Sequence, residues 1–268
     1  MSKKVVNSKI TIYDFFNKLY SKANNRYKKG EIVMELVIVL IVLVIILIIG
    51  AFIFEVNLKK LKEAGNNKKC DDIVSKFPNN KEICEDILEK LDNKKVKIKE
   101  NNDKTASLYI AISDTIFIAN ISKTYTRIQT IAHECLHSVQ NRKLLLFNYI
   151  YSNFYILYFI LSVILTILGI LKDTKLQVII LTILGFFYYV IRAYLETDAM
   201  TKAPYLAKEY MLQYIEKNPI YNKEKIEEVV NEYQRINKIG IPATNYILMV
   251  NCIVKVIIYI LIALAKLT

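Results

Sequence analysis

Residues 132–171 read AHECLHSVQNRKLLLFNYIYSNFYILYFILSVILTILGIL. The stretch opens on His-Glu-Cys-Leu-His, an H-E-x-x-H pattern. Seven residues after its second histidine the chain enters Leu144–Leu171, 28 residues without a charge. On an α-helix, residues i and i+4 lie about 40° apart around the axis and about 6 Å apart along it. His133 and His137 can therefore converge on one Zn2+, at about 2.0–2.1 Å per imidazole nitrogen. Glu134 is one residue on, so it reaches a water on the metal rather than the metal itself, which is the place of the general base in a metalloprotease. These are the only 2 histidines among 268 residues, so chance spacing explains them poorly. The bland alternative is a surface helix whose histidines pair with nearby carboxylates.

A catalytic zinc needs three protein ligands beside its water. No third histidine exists, so the remaining ligand is Asp or Glu, or less readily Cys. Glu196 is the best placed, in Tyr194-Leu195-Glu196-Thr197-Asp198-Ala199. Ala199 lies one turn away on the same face and lets that helix pack closely on the zinc helix. Asp198 is the alternative ligand, or a carboxylate that orients a histidine. Both acids also fit an ordinary solvated helix face.

Four apolar blocks are long enough to cross a bilayer. Leu36–Phe54 is 19 residues without a charge, about 28 Å of helix. Leu144–Leu171 is the second. Leu176–Ile191 is the third, extended to Tyr194 if Arg192 snorkels. The fourth, Tyr246–Leu267, contains Lys255 and ends at Lys266. Two crossings separate His137 from Glu196, and an even number returns the chain to the same side, so the three ligands can meet. His137 is seven residues before one crossing and Glu196 five after Ile191, which puts zinc roughly 10 Å from the bilayer surface. Arg127, Gln129 and Gln140 argue against a zinc helix inside the bilayer.

Residues 1–35 carry 8 Lys or Arg and no apolar run, so the first crossing reads as a signal anchor rather than a cleaved leader. Ile10–Tyr20 fits a short amphipathic helix on anionic lipid, and equally a solvated basic tail. Between crossings one and two, Asp71–Phe77 and Lys81–Asp92 have helical spacing, Lys95–Glu100 alternates as a strand, and Asn101, Asn102 and Asp103 make a turn. Leu108–Ile112 and Thr115–Ala119 read as two further strands and Thr124–Arg142 as the zinc helix. Residues 192–245 are mostly helical, punctuated by Pro204, Pro219 and Pro242. The Asn/Lys runs suggest only polar surface. Cys135 faces away from zinc, and Cys70 and Cys84 can pair only in an oxidising compartment.

H-E-x-x-H-x-x-Q, a transmembrane hairpin and then E-x-D-A-x-x-x-A together resemble the bacterial membrane neutral zinc metallopeptidase family, and more distantly the heat-shock and CAAX-prenyl membrane proteases. The second element here is Glu196, Asp198, Ala199 and Ala203. The resemblance implies zinc ligands at His133, His137 and Glu196, a catalytic base at Glu134 and a membrane-anchored peptidase. Leu136 stands where the family usually has Gly, and Met200 where the more distant proteases have Asp. In such folds the substrate backbone pairs with an edge strand above the zinc helix. Ile116, Phe117 and Ile118, in the strand directly preceding that helix, fit this role and also that of a core strand.

The expected fold class is α+β: a small zincin-like metallopeptidase unit joined to about four transmembrane helices. The divisions are a basic head (1–35), crossing one (36–54), the α+β catalytic unit (55–143), crossings two (144–171) and three (176–194), a helical segment with the third ligand (195–245), and crossing four (246–267). The expected substrate is a membrane-associated polypeptide. Net charge is +12, but the lysines are dispersed around the crossings with no recognisable motif, which argues against nucleic acid. The catalytic side carries more Lys and Arg, which favours a cytosolic face, though in long loops where that rule weakens. The competing class is an inactive, zinc-stabilised membrane scaffold or adaptor, which would have no need of Glu134.

Overall fold

The computed structural model describes the backbone of residues 2–101, 106–121 and 123–267, with side chains from residue 17 onward except 19, 22–27, 58 and 101. Of the turn expected at Asn101, Asn102 and Asp103, Asn101 instead ends a strand and the other two lie outside these residues; most side chains of the expected lipid-binding Ile10–Tyr20 segment are likewise undescribed. The described chain is mostly helical, with one small sheet. Helix α1 (Ser2–Ile53) runs without a break from the basic head through the first apolar block. Short helices α2 (Leu58–Ala64), α3 (Lys68–Ser75) and α4 (Asn80–Lys90) follow. The asparagines of the Asn/Lys runs have a definite task here. Asn57, Asn67 and Asn79 each accept a backbone N–H with the side-chain oxygen at the start of α2, α3 and α4, worth about 1 kcal/mol each.

Strands β1 (Lys97–Asn101), β2 (Leu108–Ile110) and β3 (Thr115–Ala119) form a sheet in the order β1-β3-β2. β1 runs parallel to β3 and β2 antiparallel to it, with Tyr109 opposite Ile116. The expectation that Ile116, Phe117 and Ile118 form an edge strand is therefore corrected. β3 is the central strand, and its backbone is paired along one side by β1 and along the other by β2. The cause is visible in its burial: Ile116 and Ile118 are almost wholly buried, and a strand so placed needs neighbours on both sides. The free edge on the side of the helix that carries His133 and His137 belongs to β2.

Helices α5 (Arg127–Val139), α6 (Arg142–Ile167), α7 (Thr174–Lys217) and α8 (Lys223–Leu267) complete the chain. With α1, the last three give four helices long and apolar enough to cross a membrane. Pro204 and Pro242 do not punctuate: both lie inside helices. A proline at 204 removes the N–H that would bond the carbonyl of Met200 one turn back. Asn237 of α8 supplies the missing donor, since its Nδ2 donates to Met200 O. Its Oδ1 accepts from Gln129 Nε2 of α5 at 2.6 Å. One asparagine thus fastens α5, α7 and α8 together and keeps α7 intact across its proline.

Two cores share α7 and α8. The first joins α3, α4, the sheet and α5 to the outer halves of α7 and α8, around Ile83, Ile116, Ile131, Ala199 and Tyr233. The second joins α1, α6 and the inner halves, around Leu36, Tyr155, Leu181 and Tyr259. In the first core, Arg127 is buried with no carboxylate partner among the described residues. Its guanidinium donates to the carbonyls of Val74, Phe77 and Pro78 and to Asn80 Oδ1, so it seals the end of α3 against α5.

Candidate metal centre

α5 presents two faces. Ile128, Ile131, Ala132 and Cys135, at helical spacing, are fully buried in the first core, which fixes the helix in rotation. The opposite face carries His133, Glu134 and His137. Cys135 is packing: its Sγ lies 3.6 Å from that of Cys84, and all four cysteines are free. Leu136 is buried in the same core.

The α6–α7 hairpin brings Glu196 back to this face. Ala199 and Ala203 are fully buried in the core that holds α5, and their small side chains let the two helices approach. His133 Nε2 and His137 Nε2 are 3.1 Å apart. Glu196 Oε2 is 3.4 Å from the first and 3.7 Å from the second. Tetrahedral ligand atoms at zinc-like bond lengths stand about 3.3 Å from one another, so these three donors fit a metal ion as they are. Their chemistry, two imidazoles and a carboxylate from three separate positions, is that of a metal site.

The outer contacts orient each donor. Gln140 Nε2 donates to Leu195 O and Asp198 Oδ2, both at 2.9 Å. That turns its Oε1 toward His137 Nδ1, 2.8 Å away. An amide oxygen only accepts, so Nδ1 carries the proton and the Nε2 lone pair is free for a metal. Asp198 is not among the donors. It faces Gln140 and Lys202, the latter at 2.6 Å, and reaches His137 only through Gln140. Arg192, one turn before Glu196, binds its Oε1 at 2.7 Å and leaves Oε2 toward the histidines. Burial pulls the His137 imidazole down, but the Glu196 carboxylate outweighs it and the net shift is upward.

Glu134 is buried beside the donors without being one of them. Its Oε2 accepts the backbone N–H of Tyr109 at 2.7 Å. Burial raises its carboxyl above the ordinary range, against the pull of the two imidazoles. Because the Tyr109 N–H points outward from the sheet, the free edge of β2 borders the site. A cavity of about 700 Å³ opens there, lined by β2, the α5 face, α6 and the Tyr188-Arg192-Glu196 face of α7. The roles of Gln140, Arg192 and Tyr109 were not read from sequence. Spacing held a signal for two of them: Gln140 is three residues after His137, and Arg192 four before Glu196. Nothing local pointed to Tyr109. The chain matches no family model, no curated protein and no solved structure.

Proposed function

We propose that this multi-pass membrane protein is a zinc-dependent endopeptidase that hydrolyses peptide bonds near the membrane surface, on a zincin-like unit formed by the sheet and α5. The observation that carries this reading is the pairing of a three-donor set with a separately held carboxylate. His133, His137 and Glu196 would hold the ion, and Glu134 stands beside them without being consumed as a ligand. The H-E-x-x-H-x-x-Q and E-x-D-A elements, in which the chain resembles the membrane neutral zinc metallopeptidases, agree with it.

Zinc bound there would supply a Lewis acid and a water of lowered pKa. Glu134 takes the proton of the attacking water and returns it to the leaving amine. Its raised proton affinity suits a base that must also act as an acid, and the Tyr109 N–H holds one carboxylate oxygen while the other stays free. Gln140 keeps His137 in the tautomer that can bind metal, and Arg192 aims Glu196. An extended substrate lies beside the outer edge of β2 and pairs with backbone groups other than the Tyr109 N–H, which Glu134 occupies.

Glu134→Ala tests the reading. The variant retains metal and loses casein hydrolysis by several orders of magnitude relative to wild type in the same detergent. Full hydrolysis by the variant refutes the assignment. A wild type that binds zinc and cleaves neither soluble nor membrane-inserted peptides favours the scaffold reading instead.

A further inference from the structure

The cavity does not stop at the metal donors. Asn148, Tyr149, Ser152 and Asn153 of α6 also line it. They occupy two adjacent i, i+4 rows, so they form one stripe. The stripe begins four residues into the charge-free block Leu144–Leu171 and ends nine residues in, about 13 Å along the helix. Elsewhere, beyond the charged start at Arg142 and Lys143, the exposed surface of α6 is apolar, including Phe147, Ile150, Leu157 and Ile164. A polar stripe in such a helix is costly in hydrocarbon unless it has partners.

Its partners inside the protein are incomplete. Ser152 Oγ donates to Asn148 O and Asn153 Nδ2 to Tyr149 O, which ties these side chains to their own helix. The Asn148 side chain, more than nine-tenths buried, has no hydrogen-bond partner among the described residues and borders the cavity. Its amide offers one acceptor and two donors, a match for the alternating donors and acceptors of a peptide backbone. An anionic lipid headgroup fits less well. The sole cation lining the cavity among the described residues is Arg192, and it is committed to Glu196.

We propose that the α6 stripe is a substrate-binding wall for a polypeptide segment entering from the bilayer, and that the Asn148 amide hydrogen-bonds its backbone. This rests on the peptidase reading and specifies its substrate class: chains whose scissile segment adjoins a membrane-inserted stretch. Asn153, exposed at the far end of the stripe, marks the entrance; β2 and the metal donors mark the other end.

The test uses full-length Glu134→Ala protein in phosphatidylcholine vesicles, so that binding is read without turnover. The photo-crosslinker benzoylphenylalanine is placed at position 153, in the stripe, or at position 154, on the exposed apolar face that does not line the cavity. The probe is a biotinylated peptide with a polar segment followed by a twenty-residue Leu/Ala membrane segment. Crosslinking from position 153 should exceed that from 154 by about tenfold, and Asn148→Ala should reduce the former by about tenfold, the effect of one well-placed hydrogen bond. Equal crosslinking from both positions, or lipid adducts alone at 153, overturns the proposal even where wild type hydrolyses casein. Absence of hydrolysis by wild type, with the crosslinking pattern as expected, overturns the peptidase reading and leaves the stripe a peptide-binding wall.

Discussion

The two ends of α7 follow opposite rules. Beyond Glu196, the inward side is small and apolar, with Ala199, Ala203, Ala207 and Met211 buried, while Lys202 points outward. Before Arg192, the outward side is apolar, with Ile179, Ile183 and Phe186 at least half exposed, and the buried positions include Gln177 and Gly185. The same helix is thus built for water in one half and for lipid in the other. α6 repeats the lipid pattern, with Asn148, Ser162 and Thr166 turned inward. The difference locates the candidate site: His133, His137 and Glu196 sit where the two halves of α7 meet. A ligand there links the position of the membrane hairpin to that of α5.

Substitutions can break this division at several strengths. Asn237→Ala should act most strongly, by leaving Met200 O and Gln129 Nε2 without partners at about 1–3 kcal/mol for each buried group. Denaturant unfolding in detergent should show the water-facing half weakened. An effect below about 0.5 kcal/mol would mean that α7 crosses Pro204 without this support. Gln140→Ala should leave the fold in place and lower metal affinity by roughly 10–100-fold, because the His137 ring loses its orienting partner. Competition with a chelator measures it.

Protons sharpen the same comparison. A raised His137 binds protons that the unfolded chain releases. The metal-free protein therefore holds this stabilisation at low pH and loses it as pH rises through the folded value. Metal needs the unprotonated ring, so the affinity for the ion should fall on acidification as His137 takes up its proton. Unfolding curves with and without metal across this titration should slope in opposite directions. Smallest of all is Thr166→Val in the lipid-facing half, which removes a 3.0 Å contact with Tyr259 Oη. Such bonds between membrane helices average about 0.6 kcal/mol, so the change should be barely measurable beside that of Asn237→Ala.

Much of the arrangement was legible from residue type and spacing. Uncharged runs mark the membrane helices because hydrocarbon tolerates no charge there. Two histidines at i, i+4 can share a target only on a helix, and counting crossings placed Glu196 on their side. What escaped was anything set by pairing across distant segments. The order β1-β3-β2 depends on which strand neighbours which, and adjacency of β3 to α5 in sequence pointed to the wrong edge. Pro204 looked like a helix end because its remedy, Asn237, lies 33 residues further on. The Asn/Lys runs looked featureless because a capping asparagine is recognisable only once the helix it starts is known.

The claim that one ion is held jointly by α5 and α7 is tested most directly by metal analysis of full-length protein purified in detergent, with wild type, Glu196→Gln and Asp198→Asn side by side. Glu196 Oε2 faces both imidazoles, whereas Asp198 reaches His137 only through Gln140. The expected result is one zinc per chain in wild type, none retained by Glu196→Gln through chelator dialysis, and Asp198→Asn still loaded but weakened by at most about 100-fold. Zinc lost from Asp198→Asn and kept by Glu196→Gln would contradict the assignment.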